Sequence, residues 1–260
     1  MKPKVLVLKT DGTNCDEETA FAFDLAGGNA KIVHINDLRS KRDSLNNYQI
    51  LAIPGGFSYG DDVMSGKILA TELTSFFSEE LKKFIQRKNT LVIGICNGFQ
   101  VLIRTGLLPF GEIGKMNATL TNNDSGKFEC RWIDLKIPQD NNCVFLKNLK
   151  GERVSYQVAH GEGKFFTDKL SLDNIEKQKL VVFRYIDEKG NVTQKYPPNP
   201  NGSLNAIAGI TDLSGRILGL MPHPERFIFP EQHPNWRRMQ NLKPQGLPIF
   251  KNMIKYVEES

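Results

Sequence analysis

The chain has 260 residues, of which 40% are hydrophobic and 24% are charged. A chain of this length and composition buries a large core without staples, either as one α/β domain or as two small ones. The formal net charge is +5, but the 34 lysine and arginine residues are scattered and include no run of five. This pattern disfavours a nucleic-acid-binding module, which needs a basic patch.

The N-terminal segment MKPKVLVLKTDGTNCDEE has too few consecutive apolar residues for a signal peptide or a membrane span, so we expect a cytoplasmic protein. Four cysteines are spread along the chain without a CxxC pair: Cys15, Cys96, Cys130 and Cys143. Their spacing predicts neither a zinc site nor a dense disulfide framework, and we assign no metal ligand. In a reducing compartment they would be free thiols.

Short β-rich apolar runs alternate with longer helical patterns over the first hundred residues, which is typical of βαβ units in a parallel sheet. A helix is predicted to begin at Asp16, with acidic residues in its first turn, and to end at Gly27 and Gly28. A long helix or a pair of helices fits residues 68–86. The strands predicted in this part of the chain are residues 5–8, 32–35, 50–53 and 91–95.

A different pattern begins at residue 118 and extends to about residue 187. It predicts antiparallel strands, such as 127–137 and 181–185, added to the parallel core. The run YPPNPNGS at 196–203 predicts a loop, because three prolines and a glycine cannot continue a helix. This loop either carries function or only connects its neighbours.

The last part of the chain returns to strands and then ends in a helix. Strands are predicted at 206–210 and 217–220, directly before the segment MPHPER. An amphipathic helix fits residues 248–258. The sequence contains no internal repeat and no low-complexity tract, so a repeat architecture is not expected.

The sharpest local feature is a strand that runs into Gly94-Ile95-Cys96-Asn97-Gly98, after which an apolar helical pattern begins. This is the pattern of a nucleophile elbow with cysteine in place of serine, because a tight strand-to-helix turn needs glycine two residues before and after the nucleophile. The turn raises the sulfur above the sheet at a helix N-terminus, whose dipole favours a thiolate. The alternative is a buried structural cysteine beside incidental glycines.

Among the four histidines, His223 is the best candidate for the base that a catalytic thiol needs. It follows a predicted strand directly, where active sites of parallel α/β sheets gather. Glu225 lies two residues further on, so in an extended segment its carboxylate faces the same way and can orient the imidazole. Pro222 and Pro224 favour such an extended backbone. The alternative is a surface loop in which histidine and glutamate occur by chance.

A glycine turn, Pro54-Gly55-Gly56-Phe57, follows the strand predicted at 50–53. Acyl transfer needs donors for a tetrahedral oxyanion, and the backbone N–H of Gly56 can pair with that of Asn97 to supply them. A plain turn between a strand and a helix is the alternative, since Gly-Gly is common there.

Six segments along the chain carry a family resemblance: GTNCD at 12–16, PGGFSYGD at 54–61, GICNGFQ at 94–100, AHGEGKF at 159–165, NPNGS at 199–203 and GLMPHPER at 219–226. They appear in the order typical of the class I (triad) glutamine amidotransferases, and the chain resembles most closely the glutaminase subunits of phosphoribosylformylglycinamidine synthase. The resemblance implies one amidotransferase domain over residues 1–260. Its fold would be a flavodoxin-like α/β core, with a mostly parallel sheet flanked by helices and an added antiparallel strand layer.

Residue roles follow from the same resemblance. It implies three catalytic residues: Cys96 as nucleophile, His223 as general base and acid, and Glu225 as the orienting carboxylate. It places Gln100 near the substrate glutamine. It places His160 and Gly161 beside the amino-acid end of the substrate, although a satisfied structural role is the alternative for His160.

The resemblance also implies a reaction and partners. The chain would hydrolyse L-glutamine through a γ-glutamyl thioester and pass ammonia to a synthetase that converts formylglycinamide ribonucleotide to formylglycinamidine ribonucleotide in purine biosynthesis. No GxxxxGK[ST] motif occurs, so ATP and Mg²⁺ are expected on the partner and no cofactor is expected in this chain. The expected partners are a large synthetase subunit and a small bridging subunit. The long basic segment around His233 and Trp236 is a loop or a docking surface.

Two other classes of function compete with this interpretation. A stand-alone hydrolase, such as a cysteine peptidase or a γ-glutamyl hydrolase, would use Cys96 and His223 without any partner and would act on peptides or polyglutamates. A catalytically silent regulatory subunit would fail to react with a glutamine-like electrophile. The presence of Cys96, His223 and Glu225 together argues against the silent subunit.

Overall fold

One nine-stranded sheet forms the centre of the computed structural model, which describes residues 2–260. Its strands are β1 (Lys4–Lys9), β2 (Asn29–His34), β3 (Ile50–Ile53), β4 (Leu91–Ile95), β6 (Glu129–Lys136), β7 (Arg153–His160), β9 (Val181–Tyr185), β10 (Ile207–Thr211) and β11 (Ile217–Leu220). Two short strands, β5 (Thr119–Thr121) and β8 (Lys164–Phe166), form a separate antiparallel pair. The helices are α1 (Asp16–Leu25), α2 (Ile35–Arg39), α3 (Lys67–Phe76), α4 (Ser78–Gln86), α5 (Asn97–Thr105), α6 (Lys169–Lys177) and α7 (Leu247–Glu258).

The strand order is β2-β1-β3-β4-β11-β10-β9-β6-β7. The first five strands are parallel, in the order of flavodoxin-like sheets, and the remaining pairings are antiparallel. The predicted α/β fold, with a mostly parallel sheet and added antiparallel strands, is confirmed. Most of the antiparallel strands extend the edge of the main sheet, and only β5 and β8 form a sheet of their own.

Burial explains why the parallel strands were easy to predict. Every residue of β3, β4 and β11 is buried, as expected for strands that are covered on both faces by other elements. By contrast, β7 alternates between buried and more accessible residues, which is the pattern of a strand with one covered face.

The structure corrects one predicted boundary, at 32–35, and decides between the two alternatives predicted for 68–86. The predicted strand 32–35 ends at His34, because the side chain of His34 accepts a hydrogen bond from the N–H of Asn36 and caps α2. The helical stretch 68–86 is a pair of helices separated at Phe77, whose backbone (φ −121°, ψ 11°) leaves the helical region.

The loop predicted at 196–203 lies partly in the interior. Asn199, Asn201 and Ser203 are all buried, and they bond to one another and to their surroundings. Buried polar side chains need such partners, so this loop is a packed structural element and more than a connector.

The segment between Phe229 and α7 consists of short turns that lie against β6 and β7. The ring of His233 packs on that of Trp132 with centroids 4.7 Å apart, and the Gln245 side chain accepts a hydrogen bond from the N–H of Ser155. The segment is therefore anchored to the antiparallel edge of the sheet. No helix within residues 2–260 is long and apolar enough to cross a membrane.

Candidate active site

The carboxyl ends of the parallel strands meet at one edge of the sheet, and Cys96 lies there between β4 and α5. Its backbone has φ 52° and ψ −105°, which is an uncommon conformation for a non-glycine residue, and the residue is only 5% exposed. The N–H of Cys96 donates to the carbonyl oxygen of Leu220 in β11, at 2.8 Å. This bond ties the candidate nucleophile to the strand that leads to His223.

The glycines around Cys96 are required by space. A Cβ atom on Gly98 would lie 1.8 Å from the carbonyl oxygen of Ile53, and one on Gly94 would lie 2.5 Å from the carbonyl oxygen of Gly98. No real side chain tolerates these distances from backbone atoms. The close approach of β3, β4 and α5 thus forms the elbow that the sequence predicts.

His223 and Glu225 lie side by side in the interior. The N–H of His223 donates to the carbonyl oxygen of Gln157 at 2.8 Å, and its Nδ1 lies 2.5 Å from a carboxylate oxygen of Glu225. Both side chains are buried. The expected extended backbone is present at His223, but Pro224–Arg226 form a tight turn, since the fixed φ of proline also suits the start of such a turn. This turn brings the carboxylate next to Nδ1 of the imidazole.

The electrostatics of this pair favour a charged imidazole. Burial by itself lowers the pKa of His223, but the carboxylate of Glu225 and the neighbouring Cys96 and Cys15 raise that pKa well above its usual value. Within residues 2–260, Nε2 of His223 has no hydrogen-bond partner. The ring therefore has one nitrogen held by Glu225 and one available for proton exchange.

Gly55 shows how closely the thiol and the imidazole approach each other. A Cβ atom placed on Gly55 would lie 2.7 Å from Cε1 of His223 and 3.4 Å from Cβ of Cys96. Cys96 and His223 thus flank the same glycine, and any larger residue there would push them apart. The structure brings together all three residues of the predicted triad.

The two predicted oxyanion donors are held by one side chain. Gly56 has φ 136°, a conformation that favours glycine, and its N–H donates no hydrogen bond within residues 2–260. The Asn97 side chain accepts a hydrogen bond from the N–H of Ser58 at 3.4 Å and donates to Asp61 at 3.2 Å. Asn97 therefore anchors the turn after β3 to the start of α5, which fixes both backbone donors relative to Cys96.

Gln100 lies beneath the segment that was predicted to contact substrate. Its side-chain N–H donates to the carbonyl oxygen of Glu162 at 2.7 Å, and its oxygen accepts from Asn97 at 2.9 Å. Gly161 and Glu162 line a cavity of about 510 Å³ beside Phe57 and Phe128. Gln100 thus positions the wall of this cavity.

His160 is held on both sides by asparagines. Its Nδ1 lies 3.1 Å from the amide oxygen of Asn123, and its Nε2 lies 3.4 Å from the amide nitrogen of Asn201. Burial, together with the nearby His223, lowers the pKa of His160 to about 3. His160 is therefore a neutral ring that donates from Nδ1 and accepts at Nε2, and both bonds suit the structural alternative for this residue.

This network predicts a pH effect on stability. In the unfolded chain the histidine pKa is near 6.5, so the unfolded state binds more protons between that pH and about 3, and the free energy of unfolding falls as the pH drops. Replacing His160 by Asn removes this contribution. Between about pH 7 and pH 5, we expect the free energy of unfolding to fall less in this variant than in wild type, by on the order of 2 kcal/mol. Urea unfolding at the two pH values measures the difference. His34→Asn, on the surface, is the control. An equal fall in the free energy of unfolding between pH 7 and pH 5 in both variants would contradict the assignment.

Several charged residues of this region were not anticipated from the sequence. Arg104 and Glu162 face each other at 4.0 Å beside the cavity, and one terminal atom of each is buried without a hydrogen-bond partner within residues 2–260. Burial and the nearby Glu162 raise the pKa of Asp61. Glu162 and Asp61 lie within two of the six segments that carry the family resemblance, so the sequence could have indicated them. Arg104 lies after the elbow segment, and no sequence pattern indicated it.

Comparisons with known proteins identify the family to which the chain belongs. A family profile described as a CobB/CobQ-like glutamine amidotransferase domain matches residues 2–257. The phosphoribosylformylglycinamidine synthase subunit PurQ of Dehalococcoides mccartyi is 46% identical over 260 residues, which cover 99% of each chain. The subunit of the same name from Methanococcus maripaludis is 42% identical over 270 residues, covering 98% of this chain and 99% of that one.

A solved structure gives the same result at the level of the fold. The structure of PurLQS from Thermotoga maritima contains a chain that matches with a TM-score of 0.75 and 31% sequence identity, over 99% of this chain and 100% of that chain. The relatives are matched along almost their whole length. The chain therefore belongs to the CobB/CobQ-like glutamine amidotransferases and, among them, to the family of PurQ subunits of phosphoribosylformylglycinamidine synthase.

Proposed function

We propose that this chain is the glutaminase subunit that hydrolyses L-glutamine and supplies ammonia to a synthetase converting formylglycinamide ribonucleotide to formylglycinamidine ribonucleotide. The observation that carries the proposal is the buried group Cys96, His223 and Glu225 at the carboxyl edge of the parallel sheet, in a chain of the PurQ family. The proposal places the chain in de novo purine biosynthesis, in the cytoplasm, as a single domain.

Acylation begins with the sulfur of Cys96. The thiolate attacks the side-chain amide carbon of glutamine, and the N–H groups of Gly56 and Asn97 hold the oxyanion that forms. His223 then donates a proton from Nε2 to the departing amine, so ammonia leaves and a γ-glutamyl thioester remains on Cys96. Glu225 holds Nδ1 and stabilises the imidazolium throughout.

Deacylation uses the same residues in the opposite sense. A water molecule attacks the thioester carbon while Nε2 of His223 accepts its proton. The C–S bond breaks, glutamate leaves, and the proton returns the pair of Cys96 and His223 to its starting state. These steps need no cofactor in this chain, and we propose that ATP and Mg²⁺ bind to the synthetase.

The cavity beside Gly161 suits the amino-acid end of glutamine. Asp61 and Glu162 line this cavity and supply carboxylates for an α-ammonium group. Gln100 holds the backbone of Glu162 in place. His160 supports the same wall from beneath through Asn123, whose side-chain oxygen also accepts the N–H of Gly163.

Apolar side chains around the cavity mouth suit a protein partner. Phe57, Phe128, Val63 and Met64 are all exposed, and the rings of Phe57 and Phe128 pack against each other with centroids 6.3 Å apart. Exposed apolar groups clustered around a site favour protein association. We propose that this rim faces the large synthetase subunit, and that a small bridging subunit completes the complex.

Coupling to the partner tests the proposal. We expect glutamine hydrolysis by the isolated chain to rise when the large subunit, the small subunit, ATP, Mg²⁺ and formylglycinamide ribonucleotide are added. Val63→Glu, at a rim position that is 57% exposed, should reduce this rise, whereas Leu170→Glu, at a 72% exposed position on α6, should not. A full hydrolysis rate without partners, unchanged by their addition, would favour a stand-alone hydrolase.

Glu225→Gln is expected to lower glutamine hydrolysis by about 10²- to 10⁴-fold, less than removal of the nucleophile. The carboxylate favours the charged imidazole, so its loss should lower the pKa of His223. NMR titration of the histidine Cε1–H signals, assigned with a His223→Ala variant, measures this change. An unchanged pKa would remove the orienting role from Glu225.

A further inference from the structure

Cys15 is a second buried thiol beside the candidate active site, and the steps proposed above make no use of it. It lies between β1 and α1, next to Gly55: a Cβ atom on that glycine would lie 3.1 Å from the sulfur of Cys15. The guanidinium of Arg226 donates to this sulfur at 3.2 Å. Cys15 therefore shares the surroundings of His223 from the side of β1.

Four potential metal ligands converge at this point. One ligand atom from each of Cys15, Glu18, His223 and Glu225 lies within 4.8 Å of the other three. In addition, Nε2 of His223 and the second carboxylate oxygen of Glu225 are buried without a hydrogen-bond partner within residues 2–260. Buried polar atoms normally have partners, so two such atoms without a hydrogen-bond partner beside a thiol point to a ligand.

The donor set selects the class of ligand. Thiolate sulfur, imidazole nitrogen and carboxylate oxygen are the ligands of zinc sites, with bonds of roughly 2.0 to 2.3 Å. A tetrahedral ion with such bonds holds its ligand atoms roughly 3.5 Å apart, so the group has to contract by about 1 Å. Glu18 can supply much of this movement, because its side chain is 37% exposed.

We propose that Cys15 and His223, with the carboxylates of Glu18 or Glu225, form an inhibitory site for Zn²⁺. Cys15 binds through sulfur and His223 binds through Nε2, each after its proton passes to solvent. This nitrogen is the one that exchanges protons with Cys96 and glutamine in the proposed hydrolysis, so the inhibitory consequence rests on the proposed function. The bound ion leaves Cys96 without its base.

Arg226 opposes binding of a cation. Its side chain donates to Cys15 and to Glu18, the latter at 2.9 Å, so Zn²⁺ has to displace a guanidinium that already neutralises the site. The side chain of Arg226 is 26% exposed and can turn toward solvent. Inhibition is therefore reversible, and its strength is set by competition between Arg226 and the ion.

Binding of Co²⁺ to the full chain tests the site without relying on activity. Cobalt replaces zinc at such sites and gives a thiolate charge-transfer band in the near ultraviolet. The Cys96→Ala background removes the other thiol that could bind with His223. We expect the band in Cys96→Ala and in Cys96→Ala with Cys130→Ser, and its loss in Cys96→Ala with Cys15→Ser. A band that disappears with Cys96→Ala alone would overturn the proposal, because the ion would then be bound by the nucleophile.

Inhibition of glutamine hydrolysis by Zn²⁺ gives the second test, with each variant compared to its own rate without metal. Cys15→Ser should raise the inhibitory concentration by about tenfold or more, and Arg226→Gln should lower it. Equal inhibition of the wild-type chain and Cys15→Ser would overturn the site while leaving the glutaminase intact. If the wild-type chain hydrolysed no glutamine even in the complete complex, the proposed function would fail, and the cobalt band would still decide whether the site exists.

Discussion

Cys96→Ala is expected to lower glutamine hydrolysis by about 10⁴-fold or more, because the variant has no group that can form the thioester. Cys96 lies in a strained backbone conformation at the start of α5, beside a histidine whose pKa is raised by Glu225. No other thiol occupies that position. The measurement is ammonia or glutamate release by the complete complex supplied with glutamine.

Cys130→Ala is the matched control for this prediction. Cys130 is exposed on β6 and takes no part in the site, so its removal should leave the rate within about twofold of wild type. The synthetase reaction with free ammonia in place of glutamine should survive in the Cys96→Ala complex. Loss of that reaction too would show that the substitution damages the complex as a whole.

Gly98→Ala is expected to destabilise the chain by at least about 3 kcal/mol, because the new methyl group would meet the carbonyl oxygen of Ile53 at 1.8 Å. Backbone on both sides prevents relief by a side-chain rotation, so β3 and α5 have to separate. Thermal unfolding should show a Tm lower by roughly 6 to 12 °C for a chain of this size.

Gly161→Ala is the comparison for Gly98→Ala. A Cβ atom on Gly161 has its nearest neighbour, Cδ2 of Phe128, at 3.9 Å, which is ordinary contact. This variant should keep the Tm of the wild type within a few degrees. A Gly98→Ala chain as stable as Gly161→Ala would contradict the close packing that forms the elbow.

Much of the fold follows from local patterns. Ile50–Ile53, Leu91–Ile95 and Ile217–Leu220 are strands over the predicted residues, because strands buried on both faces are continuous apolar runs bounded by turns. The antiparallel strands predicted at 181–185 and 127–137 are also present, the second as Glu129–Lys136. Their attachment to the edge of the main sheet depends on long-range pairing, such as that of β6 with β9, which no local signal specifies.

The proximity of Cys96, His223 and Glu225 was predictable for a physical reason. Cys96 and His223 each follow a parallel strand, and β4 and β11 are neighbours, so their carboxyl ends deliver both residues to one edge. Glu225 follows within the same turn. The positions of these residues along the chain were informative because the carboxyl ends of adjacent parallel strands lie next to each other.

The surroundings of the triad were less accessible to sequence reasoning. The asparagines that hold His160 come from a turn before β6 and from the loop at 199–203, far apart in the chain. Cys15 and Arg226 contact each other across more than two hundred residues. Side-chain networks of this kind depend on tertiary packing, so the spacing of the cysteines could not reveal the group around Cys15.

The most direct test of the central claim is mass spectrometry of the chain after treatment with 6-diazo-5-oxo-L-norleucine, a reactive glutamine analogue, with and without L-glutamine. We expect one adduct, on Cys96, that glutamine prevents. Absence of an adduct, or labelling of Cys15, Cys130 or Cys143 in its place, would contradict the assignment of Cys96 as the glutaminase nucleophile and would favour a silent subunit.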